Sequence, residues 1–176
     1  EQQKDSPAAS RPGFRMACQL AANENWDLTH MDNKTAFLQG ETYDDNRNLI
    51  VQLPPEAGHP WYMVARMKKP AYGLVEAPRR WFNVLDEKLR SYDLVPTRAD
   101  RCTFVLYSKD PPKTKNSQSI VKNKVSMEFI DKIFDPISGN NSGGRRPCGV
   151  ACLHVDDLFM AGNKDFEYRV LRQLRR

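Results

Sequence analysis

The sequence predicts an α+β fold in which an antiparallel sheet packs on helices. Two observations predict it. Several segments, with "APRRWFNVLDEKLRSYDL" (77–94) the clearest, space their apolar residues along one face of a helix. Among them lie short strand-like runs that read as pairs, "NLIVQLP" with "WYMVARM" and "CTFVLYSK" with "GVACLHV". Helices mixed with hairpin-like strands make the class α+β.

The totals allow this. At 176 residues, 40% hydrophobic and 28% charged, the chain is long enough for one domain with a true core and is not disordered wholesale. A net charge of +5 and an isoelectric point near 9.1 favour an anionic partner, nucleic acid first. No apolar run approaches 18 residues, so no membrane span is expected. No signal peptide is visible, which makes a reducing, intracellular compartment the default. The four cysteines, Cys18, Cys102, Cys148 and Cys152, form no CxxC pair and read as free buried thiols, not as a zinc site. The chain starts without Met and stops inside a helical pattern, so it reads as a segment of something longer.

Taken in order, residues 1–12 form a polar, extended lead-in, and residues 13–176 the folded domain. "FRMACQLAANEN" carries Phe14, Ala17, Cys18, Leu20 and Ala21 at helical spacing, with Ser10 and Pro12 as start signals and an end near residues 23–25. In "WDLTHMDNKTAFL" the residues Trp26, Leu28 and His30 alternate as a strand does. The turn-rich "PPEAGHP" separates the next two strands. In the helix over 77–94, Pro78 suits the first turn, and Trp81, Leu85, Leu89 and Tyr92 share one face. Between the last strand pair, residues 109–148 are rich in Lys, Asn, Ser and Gly and read as a mobile insertion. "NKDFEYRVLRQLRR" starts a helix capped by Asn163, with Phe166, Val170 and Leu174 facing inward.

One stretch resists the packing logic. "ACLHVDDLFMAG" (151–162) sets Asp156 and Asp157 in an otherwise apolar run, and burying unpaired carboxylates costs several kcal/mol. Either the pair forms a surface turn, or a divalent cation uses the charge. A third carboxylate, Asp32, ends a strand-like run five residues before Phe37. In a regular strand Asp156 and Asp157 would face opposite sides. A sharp hairpin turn would let both approach one ion, and a strand ending in Asp32 would complete three oxygen donors suited to Mg²⁺. Two such ions could hold an attacking and a leaving oxygen in line during phosphoryl transfer. The other adjacent pair, in "YDDNRN" (43–48), reads as a solvated turn.

With those stretches in hand, the chain resembles the reverse transcriptase of copia-type LTR retrotransposons. The resemblance rests on "MDNKTAFLQG" (31–40), "KKPAYGLVEAPRRWF" (68–82) and "LHVDDLFMAG" (153–162), in that order. "SPAASRPGFRMACQLAANENWDL" (6–28), "VQLPPE" (51–56) and "RADRCTFVLY" (98–107) support it, so that nearly everything outside 109–148 is covered. It implies a right-hand polymerase fold, this piece holding most of the palm and part of the fingers, without the thumb. It implies an RNA-directed DNA polymerase adding deoxynucleotides to a primer 3′-OH with two Mg²⁺ ions, Mn²⁺ being an alternative. By position, Asp32, Asp156 and Asp157 match the metal-binding carboxylates. Phe37 matches the aromatic beneath the incoming sugar, whose ring would collide with a ribose 2′-OH. Tyr72 and Gly73 match the segment lining the nucleotide pocket. The implied partners are an RNA or DNA template-primer, deoxynucleoside triphosphates and the rest of a Pol polyprotein with its integrase and ribonuclease H. The implied location is a cytoplasmic virus-like particle or the nucleus. His154 stands where the family has Tyr, Val75 and Glu76 where it has Lys-Gln, and Pro70 removes a backbone donor. These departures support the alternative, a catalytically inactive retrotransposon remnant that at most binds nucleic acid.

Overall fold

The computed structural model describes residues 7–44, 46–109 and 145–175. Most of the expected insertion over 109–148 lies outside the described residues. The chain divides into two compact units, one made by Lys34–Leu85 and the other by Pro7–Asn33 with Asp86–Arg176.

The second unit opens with α1 (Arg11–Glu24). Its start follows from local chemistry: the Ser10 hydroxyl accepts the Gly13 N–H (3.1 Å) and Pro12 sits in the first turn, where its missing donor costs nothing. Its end is set by Asn25 in the left-handed region (φ +53°), a conformation Asn tolerates. The buried face is Ala17, Leu20 and Ala21, while Phe14 at the N-terminal end remains partly open.

A five-stranded antiparallel sheet follows in the spatial order β1-β7-β6-β5-β4. Its strands are β1 (Leu28–Asp32), β4 (Val95–Pro96), β5 (Thr103–Tyr107), β6 (Pro147–His154) and β7 (Asp157–Gly162). The expected pairing of the 102–109 and 149–155 runs is present, with Val105 opposite Val150 and Thr103 opposite Cys152. Strands β5 and β6 are buried on both faces, which is why they read as continuous apolar runs without alternation. α1 covers one face through a cluster of Ala17, Leu20, Ala21, Val105, Val150, Cys152 and Ala161. On the opposite face Gly149 and Gly162 are register partners, and the Phe166 ring lies where a Cβ on either would stand. The glycines are therefore a packing requirement.

β1 alternates as a strand, as the sequence predicts. Leu28, His30 and Asp32 form its exposed series and Thr29 and Met31 its half-buried one. A strand at the sheet edge is covered more on one side, and here the covered side carries Thr29 and Met31.

Phe166 belongs to α3, which runs as a turn Lys164–Phe166, a π-helical turn Glu167–Leu171 and a last turn Arg172–Leu174. Asn163 caps it as expected, accepting the N–H groups of Asp165 and Phe166. Phe166 and Val170 face inward, but the third core residue is Leu171, and Leu174 is only half-buried. The π turn holds an extra residue per turn, which rotates the apolar face away from strict 3.6-residue spacing.

In the first unit, β2 (Ile50–Gln52) and β3 (Val64–Arg66) pair antiparallel, and the intervening "PPEAGHP" forms a 3₁₀ turn over Pro55–Ala57. α2 (Ala77–Ser91) starts here and continues past Leu85. Its Trp81, Leu85 and Leu89 are buried, as their spacing predicts. Burial of each such side chain is worth about 1.5–3 kcal/mol.

Candidate active site

The hairpin joining β6 to β7 turns over Val155 and Asp156, so the Asp pair sits at the turn and not within a buried strand. Val155 takes φ +60°, a region a β-branched residue enters only under local constraint, at a cost on the order of 1–3 kcal/mol. Asn33 braces this turn. Its backbone N–H (3.2 Å) and its Nδ2 (2.9 Å) both donate to the Asp156 carbonyl.

Asp157 is the first residue of β7 and stands opposite Asp32, the last residue of β1. Directly opposed residues of an antiparallel pair share a face, with Cβ atoms roughly 4.5–5.5 Å apart. Asp32 is exposed and Asp157 half-buried, so both carboxylates keep access to water. On its other side Asp157 pairs with His154, the exposed end of β6. Beyond His154, Ala8 of the lead-in bridges to the same residue, and Ala9 donates to the Leu153 carbonyl (2.7 Å).

His30, two residues before Asp32, projects on the same side of β1. Its Nε2 lies 2.7 Å from Asp157 Oδ1. An ionised carboxylate only accepts, so Nε2 carries the hydrogen and donates. The imidazole rests against Phe159 (ring centroids 4.8 Å), and Phe159 meets Phe14 of α1 edge-on (5.2 Å). Arg11, Phe14, Arg15, Cys152, His154 and Phe159 line a groove of about 350 Å³ on this face. The sequence gives His30 only as a strand residue and singles out no role for Asn33. The i, i+2 spacing of His30 and Asp32 was the available signal.

Among the described residues, no three His, Cys, Asp or Glu side chains are arranged to hold a metal ion. The two carboxylates that the register pairs are nonetheless hard oxygen donors of the kind Mg²⁺ takes. Mg²⁺ is commonly held by one or two carboxylates, with substrate phosphates and water completing its shell. The donor set present therefore fits such an ion.

Phe37, Tyr72 and Gly73 belong to the first unit. Phe37 sits in a 3₁₀ turn over Ala36–Gln39 and is 8% exposed, its ring meeting that of the exposed Tyr72 at 4.5 Å. Gly73 has φ +93° in a turn closed by the Leu74 N–H on the Ala71 carbonyl (3.2 Å). That is the position where a type II turn requires glycine. Glu76 receives Tyr43 Oη (3.1 Å) and pairs with Arg47, so its charge is met within the unit. Burial first, and then the Glu76 carboxylate, push the Tyr43 phenol above its ordinary pKa.

Comparison with known proteins bears on the family of the chain. A family described as reverse transcriptase (RNA-dependent DNA polymerase) matches residues 2–114, which include Asp32, Phe37, Tyr72 and Gly73. Two Arabidopsis thaliana proteins, the retrovirus-related Pol polyproteins from transposons RE1 and RE2, are each 32% identical over 77% and 78% of this chain and 8% of their own length. The corresponding polyprotein from the Nicotiana tabacum transposon TNT 1-94 is 30% identical over 56% of the chain and 7% of its own length. The chain thus spans about 8% of the curated relatives it matches. No solved structure is significantly similar to it. With the ordered motifs, the paired Asp32 and Asp157 and a family match over more than half its length, the chain belongs to the reverse transcriptase (RNA-dependent DNA polymerase) family, alongside Pol polyproteins of copia-type transposons.

Proposed function

We propose that this chain is the palm, with part of the fingers, of an RNA-directed DNA polymerase that adds deoxynucleotides to a primer 3′-OH. The observation that carries the reading is the register pairing of Asp32 with Asp157 at the hairpin bearing Asp156, within a chain of this family. Asp32, Asp156 and Asp157 would hold the divalent ions, Mg²⁺ or Mn²⁺. Bound there, the ions would supply charge neutralisation at the reacting phosphate and at the 3′-oxygen. The protein's own part is positional. Asn33 holds the turn through the Asp156 carbonyl, and β1 and β7 present two carboxylates on one face. Phe37 would exclude a ribose 2′-OH by contact, and Tyr72 and Gly73 would shape the nucleotide pocket. The partners would be an RNA or DNA template-primer, deoxynucleoside triphosphates and the remaining Pol polyprotein, inside the cell in a virus-like particle or the nucleus. Among the described residues no helix is long and apolar enough to cross a membrane.

Mn²⁺ titration followed by electron paramagnetic resonance tests this. Saturable binding is expected, and Asp157→Asn or Asp32→Asn should abolish it. Binding unaffected by either substitution would overturn the assignment. The second reading is an inactive remnant that at most binds nucleic acid, favoured by the missing three-ligand group among the described residues and by Glu76, which stands where the resemblance implies Gln. It predicts no specific Mn²⁺ site at all.

A further inference from the structure

We propose that His30 is a positioning residue for the Asp157 carboxylate, holding it in the orientation that receives a divalent cation. The inference rests on the metal-binding reading of Asp157 above. Asp157 is half-buried at the mouth of a hairpin, and a carboxylate in that setting is free to rotate unless something fixes it. The Nε2–H of His30 occupies Oδ1 at 2.7 Å and leaves Oδ2 without a described protein partner. One oxygen is thereby restrained by the protein and the other left for an external ligand.

His30 is itself restrained. Its ring lies against Phe159, its register partner across β1 and β7, and Phe159 is held edge-on by Phe14 of α1. A line of packed rings thus runs from the helix to the carboxylate. Hydrogen-bond partners of this kind orient metal-binding groups, and their loss commonly costs about 10–100-fold in metal affinity. His30 is half-exposed, which places the expected loss at the lower end.

The test uses two substitutions that separate the hydrogen bond from the packing. His30→Phe keeps a ring against Phe159 but has no donor. His30→Gln places an amide N–H about as far from Cβ as imidazole Nε2 does. Mn²⁺ affinity of the 176-residue chain, read by electron paramagnetic resonance with circular dichroism to verify folding, should fall about tenfold in His30→Phe. It should return close to wild type in His30→Gln. If Asp157→Asn abolishes binding while His30→Phe binds as the wild type does or more tightly, the positioning role is wrong and the metal site stands. The same holds if His30→Gln is as weak as His30→Phe. If the wild type binds no Mn²⁺, or Asp157→Asn leaves binding intact, the metal assignment and the positioning role both fall.

Discussion

At the residue scale, single side chains show which environment each position demands. Cys152 is buried in the α1 cluster, and desolvation pushes its thiol from the ordinary 9.0 up to about 12. The sign follows directly. Below pH 9 the thiol is protonated in both the folded and unfolded chain. Between pH 9 and 12 the unfolded chain releases the proton and the folded one does not, so stability falls with rising pH through that window. Urea denaturation at pH 8 and pH 10 should show a loss of stability of which Cys152 carries on the order of 1 kcal/mol, the part that Cys152→Ala removes. A pH-independent difference between the two proteins would contradict it. Phe37 makes a different kind of claim. If its ring excludes the ribose 2′-OH, Phe37→Ala in a protein long enough to polymerise should raise ribonucleotide incorporation at least tenfold, about 1.4 kcal/mol of discrimination. Unchanged sugar selectivity would reduce Phe37 to a core aromatic packed on Tyr72.

At the scale of elements, the β6–β7 hairpin is the part on which the candidate site depends. Gly149 and Gly162 are paired across it, and the Phe166 ring fills the space both leave. Gly149→Ala forces the ring out of a site with no slack and should cost about 1–3 kcal/mol, while Phe166→Ala should cost about 3–5 kcal/mol. Thermal unfolding of each variant checks both figures. Because the hairpin carries Asp157, each should also weaken Mn²⁺ binding. The fold of this element was partly legible in the sequence. The apolar runs gave both strands, and the Asp pair marked the turn. The place of β1 beside β7 and the register of the pairs were not legible, because period-2 patterning shows which residues share a face and not which residue of a neighbouring strand stands opposite. The inward residue of α3 was misread for a related reason: the π turn is a local departure from 3.6-residue spacing that an apolar pattern does not announce.

At the scale of the whole molecule, the basic balance of the chain and its family membership point to the same class of partner. If it holds a template-primer through Lys and Arg contacts to phosphate, affinity should fall about threefold per neutralised phosphate when salt rises fourfold, measured by fluorescence anisotropy. A salt-insensitive affinity would exclude such contacts. The chain spans about 8% of its curated relatives, so little processive extension is expected from it alone. Robust Mg²⁺-dependent copying of a long RNA template by these 176 residues would refute that. The sequence by itself determined the family, the presence of the helices and the buried face of α2, because composition, spacing and ordered motifs are local properties. Only the tertiary structure decided that Asp157 faces Asp32 across a strand boundary and takes a hydrogen bond from His30. Residues 127 positions apart meet through sheet register, and register is set by the packing of the whole core.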